Sequence, residues 1–304
     1  MGIILFLANI IKPKNWPLLI FLLLNLSLIS FLSILITINF DLKKFAWTFE
    51  VWELALYAIG LYLIIWFIFL TPIGEIFFRI TNRFKRIKRD DYNKEIYEVF
   101  DEVYDKAKAK SKLLSKKVKL YYYEDDNGPN AIALGRRTIA ISTDLDCYLS
   151  KEETKGVLAH ELGHLASGDS LMNMALLASN IVLLLVVTFI KYLFLLAIYL
   201  ITFIIYCFLK VRPEDRAYAI AGLFSTLVSL IYTLWILFGK LLMLATSRMA
   251  EYKADNYAKK IGYGSELSSA LVSIDPSFEF NSSMLELVTQ SHPDTNKRLE
   301  KLAA

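Results

Sequence analysis

His160-Glu161-Leu162-Gly163-His164 takes two of the three histidines in a chain of 304 residues. Side chains four residues apart leave a helix on one face, so both imidazoles can reach a single ion. Glu161, beside the first histidine, is placed to take a proton from water. Two histidine ligands, an open coordination position and a carboxylate base are what metal-assisted hydrolysis of a peptide bond requires. The plainer reading is two surface histidines on a charged helix.

A catalytic zinc site has three protein ligands, so one more must come from elsewhere. A histidine six residues beyond His164 would mark one large subclass, but Ser170 stands there. The alternative is a glutamate from a later helix, and Ser247-Arg248-Met249-Ala250-Glu251-Tyr252-Lys253-Ala254-Asp255 offers one. Glu251 and Asp255 lie one helical turn apart. Glu251 can then bind the ion while Asp255 accepts a hydrogen bond from a ligand histidine. On spacing alone, a solvated face with these carboxylates paired to Arg248 or Lys253 fits equally well.

The histidine pentapeptide is followed by Gly168-Asp169, an apolar hairpin, and then the Ser-Arg-x-x-Glu-Tyr-x-Ala-Asp run. Upstream stands Asn130-Ala131-Ile132-Ala133-Leu134-Gly135, and downstream Ser291-His292-Pro293-Asp294-Thr295-Asn296-Lys297-Arg298. In this order the four motifs resemble the HtpX-type membrane zinc metalloproteases and the related CAAX prenyl endopeptidases. The resemblance runs from about residue 130 to residue 298, with Ile132 where the family usually has an aromatic residue. It implies one zinc ion per chain, with Glu251 as the third ligand. It also implies that His292 and Arg298 lie across the cleft and stabilise the oxyanion on the substrate carbonyl. Their plainer roles are a turn cap before Pro293 and a salt bridge on the last helix. The substrates implied are misfolded or damaged membrane proteins. Two other readings remain: processing of prenylated C-terminal peptides, whose enzymes usually carry more spans, and an inactive binding protein of the same fold. The intact Glu161 stands against the latter. A scaffold or transporter with a structural zinc would need four protein ligands, and three good candidates are present.

Composition sets the setting. Hydrophobic residues make up 56% of the chain, and a membrane helix needs about 20 apolar residues in a row. Residues 17–40 and 54–70 qualify, as does material within 172–209 and 217–244. Residues 1–11 are apolar but short, and Lys12 and Lys14 follow them. That is the reverse of a cleavable leader, so a packed or interfacial helix is expected there. A net charge of +4 is too small to suggest nucleic acid as a partner. Cys147 and Cys207 lack metal-ligand spacing and are expected to pack as small apolar residues.

Arg79, Arg83, Lys85, Arg86, Lys88 and Arg89 cluster just after the second span. Such an excess marks the cytoplasmic side and attracts anionic head groups. The loop 41–50 is then external, with Lys43 and Lys44 as a weaker opposing signal. Between His160 and Glu251 the number of crossings must be even, because both are required at one ion and the bilayer core is about 30 Å thick. A 38-residue helix over 172–209 would reach about 57 Å, so only part of it, about 192–209, is assigned to the membrane. The polar residues 210–216 make the hairpin turn.

Between the membrane segments, residues 91–109 show helical spacing of Ile96, Val99, Phe100, Val103 and Tyr104. Residues 117–123 read as a strand and 124–129 as a turn. Residues 130–134 and 138–142 form a hairpin joined by Gly135-Arg136-Arg137. Ser150 and Glu153 make a capping box for the histidine helix. Its first turn, with Lys151, Glu152, Glu153 and Lys155, belongs in water, which puts cleavage at the membrane face rather than within the bilayer. Asn130, Ala131, Ile132 and Ala133 are candidates for binding extended substrate at a sheet edge; Asn130 alternatively serves turn chemistry after Pro129. Gly262 and Gly264 end the Glu251 helix, a short helix follows over 265–274, and 275–283 is a candidate cleft flap.

The expected architecture is a mainly α membrane protein with four transmembrane helices and a cytoplasmic, zincin-like α+β catalytic domain carrying a small antiparallel sheet. Its divisions fall at 1–70, 71–171, 172–246 and 247–304. The expected protein is a zinc endopeptidase, multi-pass in the cell membrane, with polypeptide substrates and the lipid bilayer as partners.

Overall fold

The computed structural model describes residues 6–7, 9–39, 51–124, 129–209, 215–274 and 295–303. In chain order the elements are α1 (Trp16–Asn39), α2 (Val51–Phe69), α3 (Pro72–Thr81), β1 (Lys85–Arg86), α4 (Lys94–Lys110), β2 (Lys119–Tyr123), β3 (Ala131–Leu134), β4 (Thr138–Ser142), α5 (Thr143–Tyr148), α6 (Lys151–Ser167), α7 (Asp169–Leu209), α8 (Asp215–Lys260), α9 (Gly264–Ile274) and α10 (Thr295–Ala303). The loop 41–50, the turn residues 210–214, residues 125–128, the flap 275–283 and His292 lie outside the described residues.

Among the described residues, four helices are long and apolar enough to cross a membrane: Pro13–Ile34, Trp52–Phe69, Asp169–Phe208 and Ala219–Leu244. The fold is therefore that of a multi-pass membrane protein. Helix α7 runs unbroken for 41 residues, about 61 Å at 1.5 Å per residue. Its first turns are buried, with Leu171, Met172, Met174, Ala175 and Ala178 covered by protein, whereas most large residues beyond Leu184 are exposed. A helix twice the bilayer thickness is thus packed in protein at one end and bare at the other.

The chain forms two compact units. One comprises Phe21–Ile65 and Leu177–Leu242 and holds the middle lengths of the apolar helices. Within it Asn25 is fully buried. It accepts a hydrogen bond from Trp235 Nε1 at 2.7 Å and lies 3.4 Å from the Tyr62 hydroxyl. One polar side chain so ties α1, α2 and α8 together, a common device where apolar burial does not distinguish helix from lipid.

The other unit gathers Met1–Ile20, Trp66–Leu176 and Met243–Ala304. These segments are separated each time by two apolar passages, the even number that the position of Glu251 demands. The N-terminal segment packs as expected: Phe6 is buried edge-on against Trp66 at 5.1 Å. Lys14 Nζ pairs with Asp169 Oδ1 at 2.7 Å, and the Lys14 carbonyl accepts from Thr246 Oγ1 at 2.8 Å.

The sheet has the order β1-β2-β4-β3. The β3–β4 hairpin is antiparallel, as is β1–β2, but β2 and β4 are parallel. The sheet is therefore mixed rather than antiparallel. The reason is that β3 intervenes in sequence yet pairs only on the outer side of β4, leaving β2 to approach β4 from the other side. Ile139 and Ile141 of β4 and Leu120 of β2 are fully buried against Phe100 and Val103 of α4 and Leu158 and Leu162 of α6. The cysteines depart from expectation: Cys147 and Cys207 are both exposed and free. Cys147 ends a short surface helix, and Cys207 sits on an outward face of α7.

Helix α6 starts at the expected capping box. Glu153 N–H donates to Ser150 Oγ, and the Glu153 carboxylate accepts from Ser150 N–H at 2.9 Å. The same carboxylate accepts from Ser269 and Ser273 of α9 at 2.7 Å each, tying the helix N-terminus to its neighbour. The Ser150 backbone bond and the three hydroxyls hold the Glu153 carboxyl down from 4.5 to about 2. A depressed carboxyl contributes stability that is complete above pH 4.5 and is lost as the pH falls through about 2. Glu153→Gln should therefore lower the thermal unfolding midpoint of the detergent-solubilised protein near neutral pH, with the gap to wild type closing towards the acid end. A gap that does not change with pH would contradict this assignment.

Candidate metal centre

Helix α6 is buried on all sides from Gly156 to Ala166. A helix so enclosed must be narrow where neighbours cross it, and small residues recur along it: Gly156, Ala159, Gly163 and Ala166. At Gly163 a Cβ would stand 3.0 Å from the Ala254 Cα and 3.2 Å from the Ala254 carbonyl oxygen. Helix α8 thus crosses backbone to backbone against the histidine helix, and Ala254 lies between Glu251 and Asp255 in sequence. This approach brings the two carboxylates to the imidazoles. One turn past His164, Gly168 at φ 78 closes α6 by donating its N–H to the His164 carbonyl at 3.1 Å, which lets the chain turn at once into α7.

His160 Nε2 and His164 Nε2 lie 3.1 Å apart. Glu251 Oε2 is 3.4 Å from His160 Nε2, and Glu251 Oε1 is 3.3 Å from His164 Nε2. Three ligand-type atoms so converge on one point. Ligands about 2.0–2.1 Å from a tetrahedral ion stand about 3.3–3.4 Å from one another. The observed separations match that spacing, and the donor set of two nitrogens and one carboxylate suits zinc. The group fits the ion.

The surroundings fix which imidazole nitrogen faces the others. His160 Nδ1 donates to Asp255 Oδ1 at 2.9 Å, which turns Nε2 towards Glu251 and His164. Asp255 is in turn held by Arg298, with Nε to Oδ2 at 2.9 Å and Nη2 to Oδ1 at 2.7 Å. Burial alone would raise the Asp255 carboxyl, but hydrogen bonds from His160 and Arg298 hold it below the usual carboxylate range. Burial likewise disfavours the His160 imidazolium, yet Asp255 and Glu251 outweigh it and lift His160 to about 9. The carboxylates thus prepare the pocket for a positive charge.

The residues picked out by sequence fall as follows. His160, His164, Glu161, Glu251, Asp255 and Arg298 are all buried in one unit. Arg298 pairs with Asp255, its Nη1 3.8 Å from Glu251 Oε2. A buried guanidinium needs a carboxylate, and Asp255 offers both oxygens. Ala131, Ile132 and Ala133 lie on β3, an edge strand packed against α6. Asn130 caps its start: its Oδ1 accepts from Ala131 N–H at 2.8 Å, and its own N–H donates to Ser142 Oγ at 2.9 Å. Sequence reasoning missed the contribution of Gly163. Its signal was available as a glycine inside the histidine pentapeptide matched by an alanine in the later acidic motif.

The model of Peptidase family M48 matches residues 91–304. The chain belongs to that family. It is 34% identical over 152 residues to a protein named Protease HtpX homolog from Halobacterium salinarum, covering 48% of this chain and 44% of that one. It is 31% identical over 196 residues to Protease HtpX of Shewanella baltica, covering 58% and 63%. The aligned part thus spans less than two thirds of either relative. The crystal structure of S. mikatae Ste24p superposes with a TM-score of 0.49 and 20% identity, over 99% of this chain and 67% of that one.

The crossing of α6 and α8 generates a prediction. Gly163→Ala forces a methyl into a 3.0 Å gap bounded by backbone, an overpacking cost of about 1–3 kcal/mol. The variant should fold with a lowered unfolding midpoint and lose bound zinc at chelator concentrations that leave wild type loaded. Unchanged zinc retention would show that the approach at Gly163 does not set the ligand geometry.

Proposed function

We propose that this chain is a membrane-embedded zinc endopeptidase that cleaves polypeptides, misfolded or damaged membrane proteins among them, at the cytoplasmic face of the cell membrane. The observation that carries this reading is the convergence of His160, His164 and Glu251, with Glu161 on the same helix turn. A zinc ion held by those three groups supplies Lewis acidity, lowering the pKa of water and polarising a carbonyl. Glu161 takes the proton from the attacking water and delivers it to the leaving nitrogen. Asp255 keeps His160 in one tautomer and orientation, and Arg298 keeps Asp255 ionised and in place. His292 is the remaining candidate for steadying the oxyanion on the substrate carbonyl.

Substrate enters as an added strand. The β3 edge beside α6 offers backbone donors and acceptors to an extended chain, and such pairing reads main chain more than side chain. Broad specificity follows, as suits an enzyme that clears damaged proteins. The cytoplasmic assignment rests on the basic residues after α2. The Lys14–Asp169 ion pair supports placing the N-terminal segment and the histidine helix on one side.

The test is hydrolysis of an unfolded membrane protein by zinc-loaded, detergent-purified enzyme beside Glu161→Gln. The variant should keep its zinc and lose about 10²–10⁴-fold in turnover. Equal turnover in both proteins would remove Glu161 from the reaction.

A further inference from the structure

Two residues separate helix α3 from the end of α2, with Thr71 as its cap and Pro72 at its first position. Its two faces differ sharply. Gly74, Glu75 and Phe78 are buried against the catalytic unit. Glu75 accepts from Arg136 N–H at 2.9 Å and from Thr138 Oγ1 at 3.2 Å, clasping the β3–β4 turn. The opposite face presents Ile73, Ile76, Phe77 and Ile80, exposed by 63%, 46%, 39% and 71%. Their spacing of three, four and seven residues makes one unbroken apolar stripe.

An apolar stripe of this kind is costly in water and favourable in the acyl boundary of a bilayer. Two features identify the bilayer as its occupant. The helix follows directly on a membrane-spanning candidate ending at Phe69, so its start lies at the membrane boundary. It also leads into Arg83, Lys85, Arg86 and Lys88, all exposed. Arg79, Lys85 and Arg89 of the same cluster are engaged within the unit, by Tyr121, Glu124 and Asp101 respectively, which leaves Arg83, Arg86 and Lys88 for the head groups. Basic side chains at the end of an apolar stripe are what an anionic headgroup layer attracts.

We propose that α3 lies in the plane of the membrane interface, its outer stripe inserted among the acyl chains and Arg83, Arg86 and Lys88 on anionic phospholipid head groups. Its inner face holds the β3–β4 turn through Glu75. The edge strand offered to substrate is thereby fixed at a set height above the lipid, through a helix that touches both. This goes beyond the peptidase reading and does not depend on catalysis.

The test uses the full-length protein in lipid nanodiscs. Cys147 and Cys207 are exposed and would label, so both are first replaced by serine. Single cysteines at Ile73, Ile76, Phe77 and Ile80, with Tyr92 as an aqueous control, then carry a nitroxide. Collisions with oxygen and with a water-soluble nickel chelate report depth. The expected result is an oxygen-to-nickel ratio several-fold higher at the four stripe positions than at Tyr92. It should rise further when phosphatidylglycerol replaces part of the phosphatidylcholine, and Arg83→Gln, Arg86→Gln and Lys88→Gln together should abolish that rise. Four separate positions guard against one variant failing to fold. Stripe positions as open to nickel as Tyr92 would overturn the proposal. So would protection from both reagents, the mark of a covering protein surface. Insertion equal in neutral and anionic discs would overturn the headgroup contact.

Discussion

The close crossing of α6 and α8 at Gly163 and Ala254 is the constraint on which the rest of the site depends. Two histidines on one helix can face one point, but a third ligand must arrive from another element within about 3.4 Å of both. With backbones this near, a short carboxylate side chain reaches. One turn later Asp255 meets the far nitrogen of His160, and Arg298 of α10 closes on Asp255. Each partner in that chain satisfies a buried charge that would otherwise be expensive. The same logic explains why α6 is built from glycine and alanine on its crossing faces and yet starts with a charged, capped turn.

The membrane topology serves the same end. Glu251 is separated from His164 by two long apolar helices, and a ligand pair split in this way can meet only if the chain goes out and returns. The unit that holds the site does collect three chain segments, the second and third each reached after a pair of apolar passages. Helices α7 and α8 run on without a break between membrane-type sequence and site-bearing sequence, α8 from Asp215 through Glu251 to Lys260.

Much of this was legible in the sequence, because it rests on local rules. Histidines four apart, the Ser150–Glu153 box, the hairpin of β3 and β4 about Gly135-Arg136-Arg137 and the long apolar runs each declare themselves within a short window. The parity of the crossings also followed, since it is a counting argument. What escaped depends on contacts distant in sequence. The parallel pairing of β2 with β4 is invisible because β3 lies between them in the chain. Glu75 carries no motif of its own, and only the fold shows it clasping a hairpin some 60 residues away. The pairing of Arg298 with Asp255 is likewise a contact between residues 43 apart that no local pattern announces. Cys147 was expected to pack as a small apolar residue, but Leu145 and Leu149 on either side of it are the buried ones.

The central claim is that one zinc ion is bound by two imidazoles and one carboxylate. X-ray absorption at the zinc edge, on purified protein with metal content counted, tests it most directly. The account predicts one zinc per chain, a first shell of nitrogen and oxygen at about 2.0–2.1 Å, multiple scattering from two imidazoles, and loss of the ion in Glu251→Ala. A sulfur shell at about 2.3 Å, drawn from Cys147 or Cys207, or full zinc retention without Glu251, would contradict it.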